Sequence, residues 1–398
     1  MLLSNKYYFY VIVALCLNLI VVVGKSQTKS LDFYNGPFSF TIDNTIDVSF
    51  SDSLSTLNIA KFYARMNNGN FAPIIKSLQM YREKHNLNDW LYYQLIRQTA
   101  QQMSAKSHNY NRYTLYKWFL MSKSGFDARL AYRGDQLIFY VKSEDEISDL
   151  PYFTLNKKTY VCLNYHDFGE LFEAKKHYTL VDISIPEAIN GFSYKVTQLP
   201  DFAPNKYTEK EISFDYDGKS YHFNVLVNED INTIFKNYPI VDFETYFNIP
   251  LSKETYASLI PVLTNCTKKL STEKGIDYIM KFTRYAFLYE DDRKIFGQEK
   301  RMPPEQTLLN PSSDCDDRVA LFFYLVKEIY NLPMIALRYP THVTIAIQFK
   351  TPVGKSILYK GDYYSICEPT PQQENLGIGQ LSKKHQTENF EIVYHYSP

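Results

Sequence analysis

The sequence predicts an α+β fold, and three observations carry that prediction. Residues 54–125 show helical periodicity, as do residues 253–330 apart from a polar loop, and each stretch is followed by short runs of alternating apolar and polar residues. Helices followed by a strand meander segregate the element types, whereas a parallel α/β fold alternates them. Between these stretches, Asp217-Gly218 separates EISFDY from SYHFNVLV, the pattern of a tight antiparallel hairpin.

The elements follow in order. The first 26 residues place Lys6 ahead of an apolar run from Tyr7 to Gly24, with small residues before Gln27, the layout of a secretory signal cleaved after Ser26. The run is long for a signal and short for a span, so retention as a membrane anchor is the second reading; both export the rest of the chain. Val13-Ala14-Leu15-Cys16 makes a poor lipidation box. A short strand is expected at 37–46, then helices in NIAKFYARM, FAPIIKSLQMYREKH and LNDWLYYQLIRQTAQQM. RYTLYKWFLMSKSG extends the helical period to Gly125, and ARLAY, QLIFYVKS and KKTYVCLN then read as strands. Residues 27–165 are therefore expected to form an N-terminal α+β domain, and 166–250 a β-rich middle domain around the Asp217-Gly218 hairpin. Residues 251–398 are expected to form a C-terminal domain in which helices again precede strands.

Lys plus Arg equals Asp plus Glu, 43 each in 398 residues, which argues against a nucleic-acid groove or a polybasic membrane patch. With 35 Tyr, 27 Phe and only 14 Gly, the chain has the aromatic and apolar content to fold, and its length favours two or three domains. Beyond the signal, Cys162, Cys266, Cys315 and Cys367 are too scattered to spell a disulfide framework. An isolated cysteine in an exported chain is either buried and inert or kept for its chemistry. Neither HExxH nor paired CxxC occurs, so no metal and no cofactor is expected.

The segment SSDCDDRVALFFYLVKEIYNLPMIALRYPTHVTIAIQF holds the candidate chemistry. Ser312, Ser313 and Asp314 are good N-cap residues, and Val319, Phe322, Phe323, Val326 and Tyr330 fall on one helical face, so Cys315 is expected in the first turn of a buried helix. The free amides and dipole there favour a thiolate and can hold an oxyanion, while Asp314, Asp316 and Asp317 oppose a further negative charge. A base is needed, and His342 opens the alternating strand HVTIAIQF after a Pro340-Thr341 turn. The following strand, YYSIC, ends at Glu368, with Pro369 fixing the backbone where a carboxylate could orient the imidazole. Alone, each residue also fits an ordinary role: Cys315 near a cap, His342 at a strand end, Glu368 in a solvated turn.

Together, DCDDRVALFFYLVKEIYNLPMIALRYPTHVTIAI and YYSICEPTP resemble the transglutaminase-like superfamily of cysteine enzymes, which have a papain-like fold. The resemblance covers about Lys253 to Pro371. It implies a C-terminal core of helices packed on an antiparallel sheet, with Cys315 as nucleophile, His342 as base and Glu368 as the acid of the triad. It also gives Asp317 a supporting role after the cysteine, and makes Tyr289 or Gln298 a further donor to the oxyanion. Two departures stand out: the acid is glutamate where the family has aspartate, and Val343 replaces the aromatic after the histidine. The activity implied is acyl transfer, with hydrolysis of a peptide or amide favoured over protein crosslinking. The expected partner is a protein or peptide substrate or a cell-envelope polymer, with no nucleic acid, and no membrane unless the N-terminal segment is retained.

The first half repeats the order of elements in the second. Pairing Arg112 with Arg318, Leu115 with Leu321 and Cys162 with Cys367 sets Asn109, Gln136 and Leu163 at the triad positions, none of which serves as nucleophile or base. Residues 27–165 would then be an inactive transglutaminase-like copy. A non-catalytic protein that binds or scaffolds a partner or surface polymer is the rival to the enzyme.

Overall fold

The computed structural model describes residues 26–173, 175–290 and 300–398. The expected signal up to Lys25, with Cys16, lies outside them, as does Gln298. Among the described residues no helix is long and apolar enough to cross a membrane.

The chain opens with a hairpin, β1 (Gln27–Phe33) and β2 (Gly36–Ile42), followed by helices α1 (Thr56–Asn68), α2 (Ala72–Lys84), α3 (Asp89–Met103) and α4 (Tyr110–Lys123). Strands β3 (Ala128–Arg133), β4 (Gln136–Lys142), β5 (Tyr152–Leu155), β6 (Lys158–Cys162) and β7 (Thr179–Val181) come next. A second hairpin follows, β8 (Tyr207–Tyr216) and β9 (Lys219–Asn228), then α5 (Asp230–Ile234), α6 (Phe243–Phe247), α7 (Lys253–Thr267) and α8 (Thr272–Tyr285). The short strands β10 (Leu288–Tyr289) and β11 (Ser312–Ser313) flank α9 (Pro304–Leu309) and lead into α10 (Cys315–Tyr330). Strands β12 (Met334–Tyr339), β13 (His342–Gln348), β14 (Ser356–Tyr359), β15 (Asp362–Cys367) and β16 (Glu391–Tyr396) close the chain.

The fold is α+β, with helices packed on antiparallel sheets. Side-chain caps start four of the helices: Ser55 on α1, Asn88 on α3, Asn109 on α4 and Ser271 on α8 each accept from a backbone N–H of the first turn. The hairpin at Asp217-Gly218 forms as expected, with φ of 51° and 72° at the two turn residues and Tyr216 paired with Lys219. The expected strand at 37–46 ends at Ile42, with Asn44–Ile46 in a 3-10 turn started by the Asp43 cap, and it is one arm of a hairpin, because the polar run from Gln27 pairs with it across the turn at Tyr34-Asn35.

Residues 166–250 do not gather into a β-rich unit of their own. Strand β7 joins the first sheet beside β3. The β8–β9 hairpin instead lies on α7 and α8, where the Phe214 ring meets Tyr278 and Phe282 at 5.1 and 5.5 Å. A lone two-stranded ribbon cannot bury its apolar face, so it takes helices as its second layer.

The two halves follow one plan. Each large sheet has five strands, ordered β5-β6-β4-β3-β7 in the first half and β14-β15-β13-β12-β16 in the second, the same order of sequence ranks. Each half begins with a hairpin that lies on two helices, β1–β2 on α2 and α3, β8–β9 on α7 and α8. The small apolar clusters on the outer sheet faces also correspond: Ala131, Tyr140, Tyr160 and Cys162 in one, Leu337, Ala346, Tyr364 and Ile366 in the other. The inner faces and the helices of both halves share one continuous core.

Candidate active site

Helix α10 starts at Cys315 because Asp314 and Asp317 form a reciprocal cap: the Asp314 carboxylate accepts from Asp317 N–H at 3.3 Å, and Asp317 accepts from Asp314 N–H at 3.3 Å. Asp317 is fully buried and also accepts from Met302 N–H at 2.7 Å and the Tyr246 hydroxyl at 3.3 Å. Its supporting role is therefore to fix the helix start against the segment before it. The helix is not one-sided as the periodicity suggested. It is buried on all sides from Asp317 to Val326, since α6, α7, α8 and α9 pack around it and β13 lies beneath, while Tyr330 is only half-buried.

Two buried arginines lock this corner. Arg318 donates to Ser313 Oγ at 3.1 Å and to the carbonyls of Arg284 and Phe287 at 2.5 and 2.9 Å. Arg284 donates from Nε to the Glu368 carbonyl at 3.1 Å and from Nη1 to the Leu376 carbonyl at 2.8 Å, so it holds the backbone of the acid. The Leu288-Tyr289 strand runs parallel to Ser312-Ser313, which sets Tyr289, 52% exposed, beside the start of α10 under the Arg318 guanidinium.

His342 is the first residue of β13, opposite Tyr339 across the Pro340-Thr341 turn. Alternation sets Val343, Ile345 and Ile347 toward the main core and His342 and Thr344 on the outer face, where β15 brings Glu368 alongside. The imidazole Nε2 meets Glu368 Oε2 at 2.7 Å, and both residues are buried. Glu368 Oε1 accepts from Thr370 N–H at 2.9 Å, so the turn after Pro369 fixes the carboxylate. Burial alone would lower the His342 pKa, but the charge and hydrogen bond of Glu368, with Asp316 behind them, outweigh it and raise it.

The thiol makes a different contact. Cys315 Sγ donates to Asp316 Oδ1 at 3.5 Å and stands by the backbone N–H of Val343. No hydrogen bond joins it to the imidazole among the described residues. Burial, Asp316 and Asp314 push its pKa far up, so in this arrangement it is a protonated thiol. Asp316 is itself paired with Arg301 Nε at 3.2 Å. The structure thus brings the expected base and acid together and sets the cysteine beside the next residue of the base's strand. A cleft of about 900 Å³, lined by Tyr194 and Lys236 among others, reaches this corner through Arg301, the partner of Asp316, and is lined by none of the three.

Three neighbours of the site escaped the sequence reading. Arg284 and Arg318 sit in helical stretches where nothing distinguishes a buried arginine from an exposed one. His385, in the loop before β16, stacks on His342 with ring centroids 4.7 Å apart and planes 11° from parallel. Its sequence, KKHQ, reads as a solvated turn.

The strand order corrects the alignment of the halves. Asn109 caps α4 as Asp314 caps α10, so the counterpart of Cys315 is Tyr110, not Asn109. Gln136 opens β4 as His342 opens β13, and keeps its assignment. Tyr140 pairs with Cys162 where Ala346 pairs with Ile366, so two residues further on the counterpart of Glu368 is Asn164, not Leu163. Tyr110 and Asn164 meet directly: Asn164 Nδ2 donates to the Tyr110 hydroxyl at 2.7 Å, and that hydroxyl donates to Asp167 Oδ2 at 2.9 Å. The corresponding corner of the first half is thus closed by its own side chains, with the buried Cys162 thiol donating to Asn164 Oδ1 at 3.5 Å.

No protein-family model matches this chain, and no curated protein matches it.

Proposed function

We propose that the protein is an exported transglutaminase-like cysteine enzyme that transfers acyl groups through Cys315, His342 and Glu368, with water as the acceptor and a peptide or amide as substrate. The buried 2.7 Å contact of His342 Nε2 with Glu368, on a strand whose next residue, Val343, stands beside a cysteine that opens a helix, carries this reading. The carboxylate fixes the tautomer and raises the basicity of the ring, which leaves Nδ1 as the nitrogen to take the thiol proton. In the step, the thiol leaves Asp316 for Nδ1, the thiolate attacks the carbonyl carbon, and amides at the start of α10 receive the oxyanion, with Tyr289 a second donor. His342 then returns the proton to the leaving amine, and water releases the acyl group with the ring again as base.

The second reading, a protein that binds or scaffolds a partner through this fold without chemistry, is favoured by one observation: the thiol is engaged with Asp316 and raised in pKa. Alkylation by iodoacetamide across pH separates the two. The enzyme reading expects Cys315 to react at neutral pH, at a rate that collapses in His342→Ala and rises in Asp316→Ala. Reaction only at alkaline pH, indifferent to His342→Ala, would sink it. Amine incorporation into a glutamine-bearing peptide, without release of acid, would move the reading from hydrolysis to crosslinking.

A further inference from the structure

The loop between β15 and β16 folds back over the outer face of the sheet and lays a second imidazole on the first. We infer that His385 is a positioning residue for the His342 base, holding its ring in the plane that presents one nitrogen to Glu368 and the other to the thiol. The inference rests on the acyl-transfer reading above.

The geometry is that of a built stack. The His342 and His385 rings are 4.7 Å apart and 11° from parallel, and both residues are buried, at 7% and 6% exposure. His385 has its own anchor, Nδ1 to Glu388 Oε2 at 2.7 Å, and its ring lies 5.2 Å from that of Tyr339, the residue paired with His342 across the turn. Lys384, next in the chain, donates to Thr341 Oγ1 at 2.9 Å and ties the loop to the same turn. The pair therefore repeats one arrangement twice, an imidazole fixed by a carboxylate, with the ring faces in contact.

That arrangement answers a need of the base. A ring held at one nitrogen can still swing about the Cβ–Cγ bond, and its free nitrogen then sweeps past the thiol. A flat neighbour anchored independently removes that freedom, and its π face also favours the imidazolium formed when the thiol proton is taken. The charged and titratable groups around the two rings are Glu368 just after β15, Asp316 from α10, Tyr339 from β12, and Lys384 and Glu388 from the loop itself.

The test is the pH profile of Cys315 alkylation by iodoacetamide in the full chain. His385→Ala should slow the neutral-pH rate by roughly tenfold and move the midpoint of the profile, since a misplaced base loses rate steeply. His385→Phe keeps a flat partner and should retain the rate within about twofold of the parent. Should His385→Ala lower the melting temperature sharply, Glu388→Gln, which loosens the anchor and leaves the ring in place, should give the same shift of midpoint in smaller measure. Equal losses in His385→Ala and His385→Phe would overturn the stacking role. An unchanged His385→Ala beside a collapsed His342→Ala would overturn it too and leave the acyl-transfer reading standing. Indifference of both would remove that reading as well.

Discussion

Cys315 sits where two residue-level demands conflict. The helix start wants carboxylates, and Asp314 with Asp317 meets that demand by capping each other's backbone. A thiolate wants none nearby, and Asp316 is the carboxylate that holds its proton. In the mechanism we propose, the burden of activation passes to His342, whose pKa is raised above its ordinary 6.5 by Glu368 and Asp316 against the opposing effect of burial. The sign of the consequence for stability follows from proton linkage. A folded-state pKa above the unfolded one means that the folded protein binds the extra proton, so the contribution of the His342–Glu368 pair is full below about pH 6.5 and is lost as pH rises through the raised value. Urea unfolding of the parent and of His342→Gln should therefore differ more at about pH 5.5 than at about pH 8.5. A difference that grows with pH would contradict the assignment.

At the scale of elements, α8 and α10 cross closely at the end of α10. A glycine inside a helix costs about 1 kcal/mol relative to alanine, so Gly275 in α8 needs a reason. The reason is Tyr330: a Cβ on Gly275 would lie 1.7 Å from its hydroxyl oxygen and 2.8 Å from the ring carbon that bears it. Gly275→Ala should therefore lower stability by about 1–3 kcal/mol despite its better helix propensity. The loss should largely vanish when Tyr330→Ala is present, a non-additivity that a double-mutant cycle by chemical denaturation reads directly. This crossing was not legible in the sequence, because Gly275 and Tyr330 meet only once two separate periodic stretches are packed. What was legible has local causes. Asp217-Gly218 specifies its own turn, the Asp314 cap starts α10, and the alternation after His342 sets which side chains share its face. The layers these elements join are decided elsewhere. The β8–β9 hairpin carries an apolar stripe that fits a sheet or a pair of helices equally, and only the packing against Tyr278 and Phe282 selects the helices. His385 was illegible for the same reason, since it reaches His342 across more than 40 residues of chain.

Across the whole molecule, the two halves keep one plan of hairpin, helices and five-stranded sheet and carry different side chains at its corresponding corners. In the second half the helix start, the opening of the second strand and the end of the fourth carry Cys315, His342 and Glu368. In the first, the same three places carry Tyr110, Gln136 and Asn164: Asn164 donates to the Tyr110 hydroxyl, while Gln136 donates to the Leu171 carbonyl and accepts from the Tyr178 hydroxyl. Such a corner contributes to stability, and its effect should reach the whole chain because the halves share one core. Trp90 Nε1 donates to the Ile234 carbonyl at 3.0 Å, and the Trp90 ring packs with Tyr194 and Tyr238, so the first half is bonded directly to α5 and the turn after it in the second. Tyr110→Phe removes the hydroxyl that accepts from Asn164 and donates to Asp167; Asn164 keeps the Leu137 carbonyl and Asp167 keeps Lys106 and His166, so the cost should be about 0.5–1.5 kcal/mol per lost bond. Heat unfolding of this variant, followed by calorimetry and by fluorescence, should show one transition at a lower midpoint, coincident by both probes, with native-state alkylation of Cys315 unchanged. Two separate transitions would mean that the halves unfold independently. A changed alkylation rate would mean that the closed corner of the first half acts on the chemistry of the second.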